Sequence, residues 1–258
     1  MQTGQLAAGR FELGKRFESG SGSEVFLARD RKENALVVAK LIKSPYSQEG
    51  WILQKLDHEG IIRLKGQYDT PEGLLLVEEF FPGVSLKHYV RKRRMLSARE
   101  TVRITEKIAD ILQYLHSRKP PIIYRDLKPD NLMIDADGNI RLIDFGAAKE
   151  YARRCDADEV CVGTLGYAAP EQFRGSFCQS DIRTDIYGLG ATMYFMLTGL
   201  DPEEEGGFPY PLDHLRKDIP KRICEVVDKC LRQDPEERYQ GAESLLYDLR
   251  QCMKKGPF

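Results

Sequence analysis

The texture of the chain changes near residue 82, and this break constrains the fold more than any other feature. Before it, short apolar runs dominate: EVFLARD, ALVVAKLIK, IIRLKGQY and GLLLVEEF read as strands, interrupted by one helical stretch around WILQKL. After it, apolar residues recur at three or four positions in SLKHYVRKRR, ARETVRITEKIADILQYLHSRK, TDIYGLGATMYFMLTG and GAESLLYDLRQCM, the spacing of helices. Ser97 and either Asp181 or Thr184 stand near helix starts, and Gly199 follows a helix end. Between the textures lies FFPGV, whose Pro82 and Gly83 form a short connector. The pattern predicts an α+β chain of two lobes: a small β-rich N-lobe with one helix, a hinge, and a larger, mainly helical C-lobe. A cleft between two such lobes is a common place for a ligand.

Composition removes several function classes. With 39 Lys+Arg against 40 Asp+Glu, the net charge of −1 offers no global attraction to nucleic acid or an anionic membrane. Six cysteines (Cys155, Cys161, Cys178, Cys224, Cys230, Cys252) form no CxxC pair, so neither a zinc site nor a disulfide framework is expected, and a reducing cytosol is. No leader-like segment and no uninterrupted run of roughly eighteen apolar residues appears. The expected location is cytoplasmic, without membrane insertion by this chain, either alone or as the cytosolic part of a longer anchored protein.

Two segments carry chemistry. In FESGSGSEVF, Gly20 and Gly22 allow close backbone approach to a ligand, while alternation of Phe11, Leu13 and Phe17, then Val25 and Leu27, reads as two paired strands. Taken alone, the loop fits a phosphate cradle or an ordinary hairpin turn. The segment IIYRDLKPDNLMIDADGNIRLIDFG, Ile122 to Gly146, says more. Its two strand-like runs, joined by an Asp137-Gly138 turn, would bring Asn131 and Asp144 together. A carboxylate and an amide oxygen suit Mg²⁺, which completes its octahedron with phosphate oxygens. Asp and Asn are common in turns, but turn chemistry does not explain Asp126, Lys128, Asn131 and Asp144 as a set.

This segment closely resembles the catalytic loop and metal motif of eukaryotic-type (Hanks-type) serine/threonine protein kinases, and the resemblance runs from about Phe11 to Met253. GTLGYAAPEQF followed by TDIYGLGATMYFMLTG looks like bacterial members. The resemblance implies a kinase domain over 10–258, with the N-lobe about 10–79, the hinge about 79–84 and the C-lobe about 85–254. It implies that Asp126 orients or accepts the proton of the substrate hydroxyl, that Lys128 neutralises the transferred phosphoryl group, and that Asn131 and Asp144 hold Mg²⁺, with Mn²⁺ as the alternative ion. Thr164 would contact Asp126 and Lys128. Lys40 is preferred to Lys43 as the strand lysine, and Glu49 to Glu59 as its helix partner. Only nine residues separate Lys40 from Glu49, so the helix is expected to be short, with Glu49 at its start beside a cap at Ser47. Glu171 would pair with Arg238, and Asp185 would hold the catalytic loop's backbone.

For ATP, the resemblance implies Val25 and Val38 on one side of the adenine and Met133 on the other, with the backbone of Glu79, Phe80 and Phe81 at its edge. The family's three glycine positions fall on Glu18, Gly20 and Ser23, leaving Gly20 for close approach and Ser21, Gly22 and Ser23 as donors. Glu78 takes the gatekeeper position, where a carboxylate needs a partner such as Lys40 or water. Tyr124 replaces the usual histidine and is expected to pack on Phe145. Opposite Arg125, one of Asp156, Asp158 and Glu159 would stand in for a loop phosphate; the alternative is a solvated charged loop. RKRR, Arg91 to Arg94, reads as a solvated helix end rather than a docking site for acidic substrates.

The leading reading is transfer of the γ-phosphoryl group of ATP to protein Ser/Thr hydroxyls, with room for a homodimer in autophosphorylation. The alternative is a nucleotide-binding pseudokinase acting as a signalling scaffold, which the altered glycine loop favours and the complete Lys40, Asp126, Lys128, Asn131, Asp144 set opposes. A small-molecule kinase is opposed by GTLGYAAPE, which would form a peptide platform.

Overall fold

The computed structural model describes residues 1–17, 23–44, 47–151, 163–173 and 180–254. The expected α+β division holds: the chain forms one unit from Met1 to Pro82 and a second from Gly83 onward.

The first unit is a six-stranded antiparallel sheet with one short helix. Its elements are β1 (Leu6–Ala7), β2 (Phe11–Phe17), β3 (Glu24–Asp30), β4 (Ala35–Ile42), α1 (Glu49–Leu53), β5 (Leu64–Thr70) and β6 (Gly73–Glu79), and the sheet order is β1-β2-β3-β4-β6-β5. Alternation sets its faces. Phe11, Leu13, Phe26, Ala28, Val37, Ala39, Leu41, Leu75 and Val77 are all buried in one cluster. At the edge, β1 was not foreseen; it lies ahead of residue 10, where the domain was expected to begin. Gly4 N donates to Leu13 O and Leu13 N to Gln5 O, so this segment takes up hydrogen-bonding groups that β2 would otherwise expose. In IIRLKGQY the strand begins only at Leu64; Ile61 and Ile62 are buried outside it.

The second unit contains β7 (Val84–Ser85), α2 (Leu86–Arg93), α3 (Ala98–His116), β8 (Ile122–Ile123), β9 (Leu132–Ile134), β10 (Ile140–Leu142), β11 (Lys149–Glu150), α4 (Ile182–Thr198), α5 (Pro202–Glu205), α6 (Leu212–Leu215), α7 (Lys221–Cys230) and α8 (Ala242–Lys254). Ser97 caps α3 by accepting from Glu100 N at 3.2 Å. Asp181 and Thr184 both serve α4: Asp181 is the N-cap, and the Thr184 hydroxyl reaches back to its amide in a capping box. Every α4 residue from Thr184 to Leu197 is buried, which makes it the central helix. It contacts α3 and α7, the latter an amphipathic helix that the sequence reading passed over. RKRR forms the last turn of α2 and its cap, where basic residues complement the helix dipole; Arg91 bonds Asp201 and Glu204, and Arg93 stacks on Tyr89.

Gly199 ends α4 at φ +73°, and a Cβ there would lie 1.9 Å from Arg94 O. Gly199→Ala therefore combines left-handed strain with a backbone clash, and it should cost about 2–3 kcal/mol. A thermal midpoint lowered by roughly 4–10 °C is the expected reading, and an unchanged midpoint would refute the assignment.

Candidate active site

The predicted residues divide between the two units. In the first, directly opposed residues of antiparallel strands share a face. Val25 faces Lys40, Lys40 faces Leu76, and Val38 faces both Leu27 and Glu78. Val25, Val38, Lys40 and Glu78 thus line one side of the sheet, the side turned from the apolar cluster. Despite the short sequence interval, Lys40 Nζ donates to Glu49 Oε1 at 2.8 Å, and the two side chains are only 7% and 1% exposed. Glu49 is the first residue of α1, and its amide reaches Ser47 Oγ at 3.4 Å, while the N-cap itself is Gln48. The next residue is glycine, and the side chains of Gln67 and Leu76 pack into the space it leaves: a Cβ on Gly50 would come within 2.5 Å of Gln67 Oε1 and 2.8 Å of Leu76 Cδ2. Glu78 is buried on β6. Glu79, on the same strand, bonds Arg63 through both backbone and side chain, and Phe80 and Phe81 follow it. Ser23 is half-buried just before β3. Gly20, Ser21 and Gly22, with Glu18, lie outside the described residues.

In the second unit, the loop between β8 and β9 carries Tyr124 to Asn131. Asp185, buried in the first turn of α4, accepts from Tyr124 N at 3.0 Å and Arg125 N at 2.8 Å. His116 Nε2, carrying its proton, donates to the same carboxylate at 2.8 Å. Tyr124 is wholly buried; its ring meets Phe145 edge to face at 5.2 Å and its hydroxyl donates to Ile143 O.

On this frame three side chains converge. Thr164 Oγ1 donates to Asp126 Oδ1 at 3.0 Å, Lys128 Nζ donates to Thr164 Oγ1 at 2.5 Å, and Lys128 Nζ lies 3.2 Å from Asp126 Oδ2. Asn131 Nδ2 donates to both Asp126 O and Asp126 Oδ2 at 2.8 Å. The β9–β10 hairpin brings Asn131 beside Asp144, since Ile143 N donates to Asn131 O at 2.9 Å. Asp144 sits at φ 60° and accepts from Gly146 N. With its nitrogen engaged by Asp126, Asn131 presents Oδ1 on the other side. An amide oxygen and a carboxylate as neighbours fit a hard divalent cation. Met133, half-buried on β9, stands opposite Arg141 and Ser85.

A buried fork holds the segment after Thr164. Arg238 donates from both terminal nitrogens to Glu171 at 2.8 Å, and Thr184 Oγ1 adds a bond to Glu171 Oε1 at 3.0 Å. With Asp185 already placed, these are the anchors expected of a kinase catalytic unit. A family model described as Protein kinase domain matches residues 11–249. The chain belongs to the protein kinase domain family. This kinase domain is 31% identical to the serine/threonine-protein kinase PknB of Mycolicibacterium smegmatis, in an alignment covering 96% of the chain and 44% of that protein. It is 28% identical to a probable serine/threonine-protein kinase of Clostridium perfringens (98% of the chain, 40% of that protein) and 27% to PrkC of Bacillus subtilis (97% and 41%). The chain spans well under half the length of these curated relatives. The family uses ATP with a divalent metal.

Asp201 is a residue the sequence reading missed. It caps α5 and accepts from Lys87 Nζ at 2.9 Å and Tyr167 Oη at 2.9 Å, while Gly166, at φ +85°, fits against the Pro202 backbone. Burial pushes its carboxyl up, but the bonds from Lys87, Tyr167 and the Glu203 amide outweigh that and hold it below the usual carboxylate range. An Asp-Pro pair two residues after a helix-ending glycine is a helix-start signal that could have located it. Asp156, Asp158 and Glu159, the expected phosphate substitutes, lie outside the described residues, as do Cys155, Cys161 and Cys178.

Proposed function

We propose that this kinase domain transfers the γ-phosphoryl group of Mg-ATP to serine and threonine hydroxyls of protein substrates. The observation that carries the reading is the Asp126, Lys128 and Thr164 triangle, steadied by Asn131. Asp126 is an acceptor held by neutral and cationic donors, suited to orient a substrate hydroxyl for in-line attack. Lys128 offers a cation where charge develops on the transferred group. Asn131 and Asp144 would hold the divalent ion, which neutralises phosphate charge when bound. The residues proposed for nucleotide binding are Val25, Val38, Lys40, the backbone of residues 79–81, Met133, and Gly20, Ser21, Gly22 and Ser23. A cytoplasmic setting belongs to the same reading, since Cys224, Cys230 and Cys252 are buried thiols.

The test is incubation with Mg-ATP and a general protein substrate beside Asp126→Asn and Asp144→Asn, with phosphate located by mass spectrometry. Phosphoserine or phosphothreonine from the unaltered protein, absent with both variants, is expected. Nucleotide binding without transfer would overturn the proposal in favour of a scaffold role.

A further inference from the structure

Arg125, immediately before Asp126, has φ +67°, in the left-handed region that non-glycine residues avoid. Such a conformation costs about 1–3 kcal/mol and persists only where its surroundings fix it. Three contacts do so. Asp185 takes the Arg125 amide, and Arg125 Nε donates to Ala147 O at 2.7 Å. The third is remote in sequence: Gln172 Nε2 donates to Arg125 O at 2.8 Å. That carbonyl belongs to the peptide group leading into Asp126, so any rotation of it swings the carboxylate.

Gln172 is itself held. It is 5% exposed, and its Oε1 accepts from Ala169 N at 2.8 Å. An N–H at one end and a carbonyl at the other leave the amide a single orientation. Gly163, at φ +129°, passes so close that a Cβ there would lie 3.0 Å from Gln172 Nε2. The segment 163–173 therefore holds the Arg125–Asp126 pair at two points, through Thr164 on the Asp126 side chain and through Gln172 on the Arg125 carbonyl.

We infer that Gln172 is a positioning residue that sets the Arg125–Asp126 peptide and thereby aims Asp126. The inference rests on the reading of Asp126 given under Proposed function. Gln172→Met keeps the volume and removes both bonds. Gln172→Glu keeps an acceptor for Ala169 N, but its ionised form has no proton for Arg125 O, whereas its protonated form has one.

With Mg-ATP and a protein substrate, Gln172→Met should lose about thirtyfold to a hundredfold in kcat with KM for ATP nearly unchanged, the scale of a small misplacement at a reacting centre. For Gln172→Glu, kcat relative to the unaltered protein should climb as pH falls from about 8.5 to about 6, because burial raises a carboxyl's pKa toward this range. The Gln172→Met ratio should stay flat. A second readout needs no turnover: amide hydrogen exchange over residues 124–127 should quicken in Gln172→Met while α8 is unaffected. Wild-type kcat in Gln172→Met, pH-parallel ratios for the two variants, or unchanged exchange at 124–127 would overturn the inference. An unaltered protein that transfers no phosphate would defeat the functional reading instead, and exchange would still decide Gln172.

Discussion

Arg238→Met is expected to lower the unfolding free energy by about 3–5 kcal/mol, the usual cost of stranding one partner of a buried ion pair. The Arg238 side chain is fully buried and the Glu171 side chain is 6% exposed. Besides its fork to Glu171, Arg238 donates to the carbonyls of Arg232, Arg183 and Gln233 at 2.8, 3.0 and 3.2 Å. Methionine fills similar space but returns none of these bonds, leaving a carboxylate with the Thr184 hydroxyl and three carbonyls short of a donor. For a domain stable by about 5–15 kcal/mol, such a loss is large. The urea midpoint should fall accordingly, and adding Glu171→Leu should recover part of the loss by removing the stranded charge. A midpoint change worth under about 0.5 kcal/mol, the scale of an ordinary surface substitution, would show that the fork carries no stability.

Asp126→Asn should lower kcat by about 10²–10⁴ while nucleotide affinity stays close to that of the unaltered protein. Asparagine preserves the shape of the side chain, but it has one oxygen where Thr164 and Asn131 use Oδ1 and Oδ2 of Asp126, so only one of these two contacts keeps its side-chain acceptor. What disappears is the negative charge opposite Lys128 and the capacity to take a proton from a hydroxyl. Steady-state kinetics with nucleotide binding measured separately distinguishes this from a folding defect. A kcat within tenfold of the unaltered protein would remove Asp126 from its proposed role.

Much of this architecture is legible in the sequence because its signals are local. The Asp181/Thr184 box, the Ser97 cap and the Gly199 stop depend on backbone chemistry within a few residues, and each is where the pattern placed it. The ties among Tyr124, Asp185, Glu171 and Arg238 were reached by resemblance, since spacing alone cannot pair residues 67 positions apart. The reach of Glu49 to Lys40 is less legible: Gln67 Oε1 and Leu76 Cδ2 occupy the space that a Cβ on Gly50 would take, and nothing in the linear pattern reports that close approach. Gln172 and Asp201 escaped for a related reason. Each is an ordinary polar residue whose importance comes from burial against distant backbone or side-chain groups. Strand β1 was missed because two residues carry no period.

The Asp201 carboxylate also has a dynamic consequence. It bonds Lys87 on α2, Tyr167 three residues after Thr164, and the first turn of α5. An excursion of any one of these breaks bonds to a group that the other two share. Helix α2, the stretch around Tyr167 and the start of α5 are therefore expected to open together, with amide hydrogen exchange in the three segments reporting one common free energy for local unfolding.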